Sequence, residues 1–522
     1  MAHKTLLELS ADEARRCLLS NDNYINFDLP NYFDFSKLLI QVSVKLKDTN
    51  WEEYTSNVID EDGEVKLDSK GNPIKKYPGY EFNVNHQIIV NKNSNLSWRP
   101  LEITHPVLYV ALVHLLTEED NWNIIISRFN ELKCSDIEVA SIPPGKSLNR
   151  KTNKAEQITK WWENGEQRSV ELGLEYNYVS ETDIADCYSS IYTHAISWAM
   201  HTREVAFKKQ RDDSLLGNQI DKILMNMHHR QTNGIPQGSM LYDLLAELLL
   251  AYADTLICET IKEKGIEAYK IVRYRDDYKI FTKRADDGKS ILRIISDQLV
   301  DLGLRPNANK TYAGRRLIDA SFKADKLKGL FIPKIENNFA KRLMQIHQIS
   351  EKHSNSGQVA RMLNSFHDDM YSKLLVQRQS LQHYEKPLVM ISILVDMCMH
   401  NPRFYNMISA IISLLLSQIS EKKQVAAILH ERLRKLPNSS LLDLSLQRAI
   451  YKYSPDLTYD EPLTKIVLEY NGRPHNIWNN DWLNGEMQEL INTSNVIDQD
   501  ILTDNAAVTS RDEVDEFRDI PS

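Results

Sequence analysis

The stretch IVRYRDDYKIF, residues 271–281, sets two adjacent acids, Asp276 and Asp277, inside a run that otherwise reads as strand. Ile271, Val272, Tyr274, Tyr278, Ile280 and Phe281 are β-branched or aromatic types that suit a pleated, half-buried surface. A strand points successive side chains to opposite faces, so neighbouring carboxylates normally meet different surroundings. Two readings stand open: a hairpin tip whose acids turn the chain, or a β-turn-β that presents carboxylates to a metal. What the rest of the chain offers the pair decides between them.

A partner acid lies upstream. In TDIADCYSSIY (182–192), Asp183 ends a strand and Asp186 lies three residues further on. Convergent acids repel strongly unless divalent cations neutralise them, and oxygen-only ligation favours Mg2+ or Mn2+. Two such ions close together suit in-line phosphoryl transfer, one activating a 3′-hydroxyl and the other holding a triphosphate. Each acid alone is more simply structural; their joint placement changes the balance.

The flanking segments fill in a sheet. NHQIIVNKNSNLSWRPLEI (85–103) reads as a hairpin around a polar turn, and THPVLYVALVHLLTEEDNW (104–122) as a helix after a Thr cap. NGIPQGSMLYDLLAELLLAYADTLICETI (233–261) is a Gly-Pro-Gly loop feeding a long apolar helix. DDGKSILRIISDQLVDLGLRPNANKTYAG (286–314) is an amphipathic helix, then a loop and a strand. The order strand-helix, helix, β-turn-β, helix-strand predicts an α+β sheet of split βαβ type.

Five of these segments, in order over roughly residues 85–330, resemble the motifs of reverse transcriptases. SWRPLEI resembles the fingers motif whose arginine, here Arg99, binds the incoming triphosphate, with Lys92 where some members carry a second phosphate-binding lysine. TDIADCY resembles the motif in which Asp183 and the Ile184 backbone carbonyl are metal ligands and Tyr188 is the gate that rejects a 2′-hydroxyl. GIPQGSML resembles the loop whose Pro236, Gln237 and Gly238 line the nucleotide and template pocket. YRDD makes Asp276 the main ligand and Asp277 the auxiliary acid, and LGLRPNANKT places Lys310 on the lysine that protonates the leaving pyrophosphate. The chemistry suits the residue types: an arginine grips phosphate bidentately, a glycine lets backbone approach a nucleotide, and a lysine serves as cation and proton donor. The resemblance implies two Mg2+ (or Mn2+) ions as cofactors, dNTPs as substrates and RNA template with DNA product as partners.

Two departures stand out. The loop motif usually continues with a Ser-Pro type pair, but here Met240 and Leu241 lead into Tyr242 and Asp243. A small or apolar residue usually sits between Tyr and Asp of the acid motif, but here it is Arg275, which could touch a primer phosphate, a template strand or a protein acid. A further candidate nucleic-acid surface is the basic segment 141–170, where Lys146, Arg150, Lys151, Lys154, Lys160 and Arg168 flank Trp161 and Trp162. A solvated amphipathic helix explains that segment equally well.

From about residue 340 the texture becomes helical, with segments near 340–353, 357–376, 384–400, 402–419, 421–435, 438–452 and 459–470. No strict repeat is present, and no cysteine–histidine spacing marks a nuclease or zinc module. The expected architecture is an α+β right-hand polymerase followed by an all-α, helical-repeat-like domain. Its expected units are 1–175 (N-terminal extension and fingers), 176–335 (palm), 336–495 (all-α thumb or C-terminal domain) and 496–522 (acidic mobile tail). A polymerase core followed by such a domain resembles the bacterial abortive-infection and defence-associated reverse transcriptases. That group implies antiphage defence, homo-oligomers, and synthesis that is untemplated, protein-primed or templated by a noncoding RNA. Alternatives are a retron- or group II intron-like copying enzyme and a non-catalytic nucleic-acid-binding scaffold; the intact Asp183, Asp276, Asp277 and Lys310 weigh against the scaffold.

Bulk properties are compatible with this. At 522 residues the chain exceeds one core, and 42% hydrophobic and 26% charged content is ordinary for a globular protein. The net charge of −9 is concentrated in the tail: eight acids against Arg511 and Arg518 between 498 and 522 give −6. Net charge therefore neither supports nor opposes a basic groove elsewhere. The five cysteines are far apart, so reduced thiols and a cytoplasmic location are expected, and no run is long enough to span a bilayer.

Overall fold

The computed structural model describes residues 4–92, 97–145, 162–314, 336–382, 385–468 and 477–514. The 85–103 stretch forms the expected hairpin of β1 (His86–Asn91) and β2 (Trp98–Ile103), antiparallel with Val90 opposite Arg99. A five-stranded sheet follows from β3 (Ile137–Val139), β4 (Tyr178–Asp183), β5 (Tyr269–Tyr274), β6 (Asp277–Thr282) and β7 (Tyr312–Gly314). Its spatial order is β3-β5-β6-β4-β7. Both β4 and β5 run antiparallel to β6, which lies between them, so β4 and β5 are the parallel strands of a split βαβ unit.

The period-2 pattern of the opening stretch sorts the sheet's faces. Ile271, Tyr278 and Ile280 join the main core with the leucines of the long helix Met240–Glu263. Val272 and Phe281 point the other way, into a small cluster with Val179, Leu172 and Tyr176. The amphipathic helix Ala285–Asp301 also covers the core face, so closely that a Cβ on Gly288 would lie 2.9 Å from Ser180 Oγ. The opposite face carries Asp183 and Asp277 beyond that small cluster.

Beyond the sheet, the described elements from Phe339 to Ile450 are all helical, and their ends lie within a few residues of the expected positions. The most apolar run forms helix Tyr405–Ser417, buried along most of its length in a second core separate from the first. Among the described residues no helix is long and apolar enough to cross a membrane.

Four expectations are corrected. The 104–122 stretch is two helices, Pro106–Leu116 and Glu119–Glu131, and His105, not Thr104, caps the first. The expected boundary at 495 does not follow the packing. Residues 477–497 return to the N-terminal core, where Trp478 and Trp482 pack against Phe35, Trp51 and His105 and Trp478 Nε1 donates to the Ile103 carbonyl at 2.9 Å. The described start of the acidic tail is held rather than mobile: Arg448 pairs with Glu513, Arg511 pairs with Asp368, and Val508 and Val514 join the helical core. Acidic composition hid the few apolar and charged contacts that dock it; residues 515–522 lie outside the described residues. Finally, Cys134 and Cys258 form a disulfide across 124 residues, where helix Glu119–Glu131 ends against the long helix, a contact that spacing alone does not reveal.

Candidate active site

Three segments meet at one end of the sheet. Antiparallel pairing sets Asp183, the last residue of β4, opposite Asp277, the first of β6. The loop after β4 is tied to the β5–β6 turn by the Ile184 N–H donating to the Asp276 carbonyl at 3.1 Å. On its other side, Asn307 N–H donates to the Asp183 carbonyl and Ala185 N–H to that of Arg305, both at 2.8 Å. These bonds carry the 3-10 turn Ala308–Lys310 up to the acids.

Charge accumulates at that meeting point. Asp183 is buried, and among the described residues its Oδ1 has no hydrogen-bond donor, while its Oδ2 accepts from Lys310 Nζ. Burial, then the charge of Asp183, holds the Asp276 carboxyl above its ordinary value. Burial pulls Lys310 down, but its bond to Asp183 and the charges of Asp183, Asp277 and Asp276 outweigh this, so its pKa is raised. Asp277 is the exposed member. A buried carboxylate oxygen without a donor, beside a second carboxyl that resists ionising, is a donor set that fits a hard divalent cation. The expected ligands Asp183, Ile184, Asp276 and Asp277 and the expected Lys310 are therefore brought together.

The expected nucleotide-side residues lie on the β1–β2 hairpin and on the loop before the long helix. Lys92 and Arg99 lie at the same end of the β1–β2 hairpin; Arg99 is exposed, and Lys92 Nζ is 3.7 Å from Asp186, an exposed acid in left-handed backbone with φ +46°. The Pro236-Gln237-Gly238 loop is stitched to its neighbours: Glu102 N–H donates to the Gln237 carbonyl at 2.8 Å and Asn26 N–H to that of Gly238 at 2.9 Å. Gly238 sits at φ +132°, and a Cβ there would lie 2.9 Å from the Phe27 ring. Ile235 N–H donates to the Tyr188 carbonyl at 2.9 Å, which fixes this loop against the expected gate residue. Trp161 lies outside the described residues, and so does the side chain of Trp162, although its backbone opens the helical segment Trp162–Gln167.

Of the three contacts open to Arg275, a primer phosphate, a template strand or a protein acid, the structure shows the protein acid. Its Nη2 donates to Asp243 Oδ2 at 3.0 Å, so the two departures from the family pattern meet each other. Its backbone is left-handed at φ +52°, held by its own N–H on Ser141 Oγ at 2.8 Å and by Arg273 Nη1 on its carbonyl at 3.1 Å. Arg273 has no solvent exposure and also bonds Asp254 at 2.8 Å and Glu247 at 3.0 Å. Burial pushes Asp254 up against the opposing pull of Arg273, and the two acids drive Arg273 above its ordinary value. The reading of the sequence missed Glu247, Asp254 and Arg273. The signal was there: positions 243, 247 and 254 share one stripe of an otherwise apolar helix, and 273 and 275 share one strand parity.

Residues 123–330 match the family model described as reverse transcriptase (RNA-dependent DNA polymerase). The chain carries a reverse transcriptase domain. That domain is the one found in RNA-directed DNA polymerases, and it encloses Asp183, Tyr188, the 236–238 loop, Asp276, Asp277 and Lys310. No curated protein matches the sequence. Among solved structures, telomerase from Candida tropicalis in complex with a TWJ fragment of telomeric RNA is 13% identical, with 67% of this chain and 64% of that one covered and a TM-score of 0.29. The corresponding complex from Candida albicans is 11% identical, with 76% and 66% covered and a TM-score of 0.30. This chain thus spans just under two thirds of those telomerase chains. Overlap at such scores leaves the assignment to the family match and the site's own geometry.

Proposed function

We propose that this protein is a DNA polymerase of the reverse transcriptase family that adds dNTPs to a nucleic-acid-templated or protein-primed strand by two-metal phosphoryl transfer. The observation that carries the reading is the convergence of Asp183, Asp276 and Asp277 at one end of a split βαβ sheet, with Lys310 against them. Asp183, the Ile184 carbonyl and Asp276 would hold two Mg2+ or Mn2+ ions, with Asp277 as auxiliary. Bound there, such ions supply Lewis-acid activation of a 3′-hydroxyl and neutralise charge on a triphosphate.

The remaining work belongs to the chain's own side chains. Arg99 and Lys92 grip phosphate oxygens from the hairpin end, and the 236–238 backbone lies under the nucleotide. Tyr188 stands where a 2′-hydroxyl would project. Lys310, which reaches the acids through Asp183, can hand a proton from Nζ to the leaving pyrophosphate.

The reading extends to biology: a polymerase core of right-hand type followed by a helical domain supports bacterial antiphage defence of the abortive-infection kind, by a cytoplasmic homo-oligomer. The test is incorporation of each dNTP by purified protein in Mg2+, with and without co-purified nucleic acid. Expected is synthesis that the double change Asp276→Ala and Asp277→Ala abolishes, together with any protection of cells in a phage plating assay. Synthesis that survives the double change overturns the mechanism, and protection that survives it overturns the link to defence.

A further inference from the structure

Beneath the expected gate lies a clamp that the family pattern does not contain. Asp243, on the first turn of the long helix, is 4% exposed and its carboxylate is shared three ways. Oδ1 accepts from the Tyr188 hydroxyl at 2.5 Å; Oδ2 accepts from Arg275 Nη2 at 3.0 Å and from Asn26 Nδ2 at 3.2 Å. The tyrosine hydroxyl therefore meets a buried charge that a guanidinium from the catalytic turn balances. A hydrogen bond to an ionised acceptor is roughly twice as strong as a neutral one, and more so where water is excluded. The Arg275 backbone from which that guanidinium extends is itself fixed, since both its N–H and its carbonyl are engaged by Ser141 and Arg273.

A ring discriminates by shape only while pushing it aside is costly. A ring held by packing alone yields by rotation about its side-chain bonds; one tied through its hydroxyl to a buried, ion-paired carboxylate must first break that bond. We propose that Asp243 and Arg275 are positioning residues for sugar selection, clamping Tyr188 so that a ribose 2′-hydroxyl is rejected by a rigid wall. This rests on the polymerase reading above. It adds that selectivity resides in the tyrosine hydroxyl and its ion pair as well as in the ring, and that the two departures from the family pattern are one device.

The test measures incorporation efficiency, kcat/KM, for a dNTP and for the matching rNTP in wild type and in Arg275→Ala, Arg275→Lys, Asp243→Asn and Tyr188→Phe. Expected is a fall of about tenfold or more in the dNTP-to-rNTP ratio for Arg275→Ala, Asp243→Asn and Tyr188→Phe. Arg275→Lys, which keeps a cation near Asp243, should retain most of the ratio. The double change Tyr188→Phe with Asp243→Asn should lower it no further than either single change, because both break the same tether. Tyr188→Phe removes one oxygen and keeps the ring, so it tests the idea even if the charge variants misfold. A ratio within twofold of wild type in Tyr188→Phe, whatever the absolute rate, overturns the clamp while leaving the polymerase reading intact. A wild-type protein that makes no DNA overturns both.

Discussion

Replacing Arg273 by methionine strips the β5–β6 hairpin of its deepest anchor. The guanidinium has no solvent exposure and bonds Glu247 at 3.0 Å, Asp254 at 2.8 Å and the Arg275 carbonyl at 3.1 Å. Removing one partner of a buried ion pair costs about 3–5 kcal/mol, because the other charge stays buried and uncompensated. Two acids are orphaned here, but Asp254 keeps the Tyr278 hydroxyl at 3.1 Å, and burial already favours its protonated form. Protonation therefore caps the loss, and about 4 kcal/mol is expected at pH 8. The sign with pH follows. A carboxyl whose folded pKa is raised destabilises the fold increasingly as pH climbs above its unfolded value, about 4, and the penalty levels off above the folded value. At pH 5.5 the loss should shrink to roughly half. Urea unfolding of wild type and Arg273→Met at both pH values, followed by tryptophan fluorescence, reads this directly. The triple change Arg273→Met, Glu247→Leu and Asp254→Leu removes the charges together and should recover most of the stability. A loss under about 1 kcal/mol at pH 8, a loss equal at both pH values, or a triple variant no better than the single one would refute the reasoning.

Two further outcomes follow from the structure. Gly238→Ala forces a side chain into backbone at φ +132° and 2.9 Å from the Phe27 ring, so it should lower stability by about 1–3 kcal/mol and nucleotide incorporation with it; an unchanged unfolding midpoint would count against the close approach. Burial pulls His228 down, but Glu102, 2.9 Å from its Nε2, more than offsets this and leaves its pKa raised. Its contribution is full below the unfolded value of about 6.5 and is lost as pH rises through the higher folded value, so wild type should lose about 1 kcal/mol relative to His228→Gln between pH 6 and 9. Parallel stability curves for the two proteins would show that the pair does not form.

Much of the site was legible because its chemistry is local. Two acids flanked by alternating β-branched and aromatic residues state a hairpin, and the strand ending in Asp183 states where a second carboxylate emerges. The helices after 339 were legible for the same reason, since apolar periodicity is a property of neighbouring residues. Arg275 was visible as an anomaly whose partner stayed open, because Asp243 lies 32 residues away on the long helix. Trp478 and Asn480 gain their roles from packing alone, which sets Trp478 on Ile103 and Asn480 on His105.

By itself, then, the sequence determined the element types, the split βαβ order and the identity of the acids that meet, since each depends on residue type and short-range periodicity. Tertiary structure alone decided which buried charges answer one another. A carboxylate on a helix stripe can be matched by any cation the fold brings within about 3 Å, and only the packing of the long helix beneath β5 selects Arg273 for Glu247 and Asp254 and Arg275 for Asp243. The opening stretch spells out a hairpin that carries two acids at its turn; the helix beneath it supplies the carboxylate that the arginine before those acids meets.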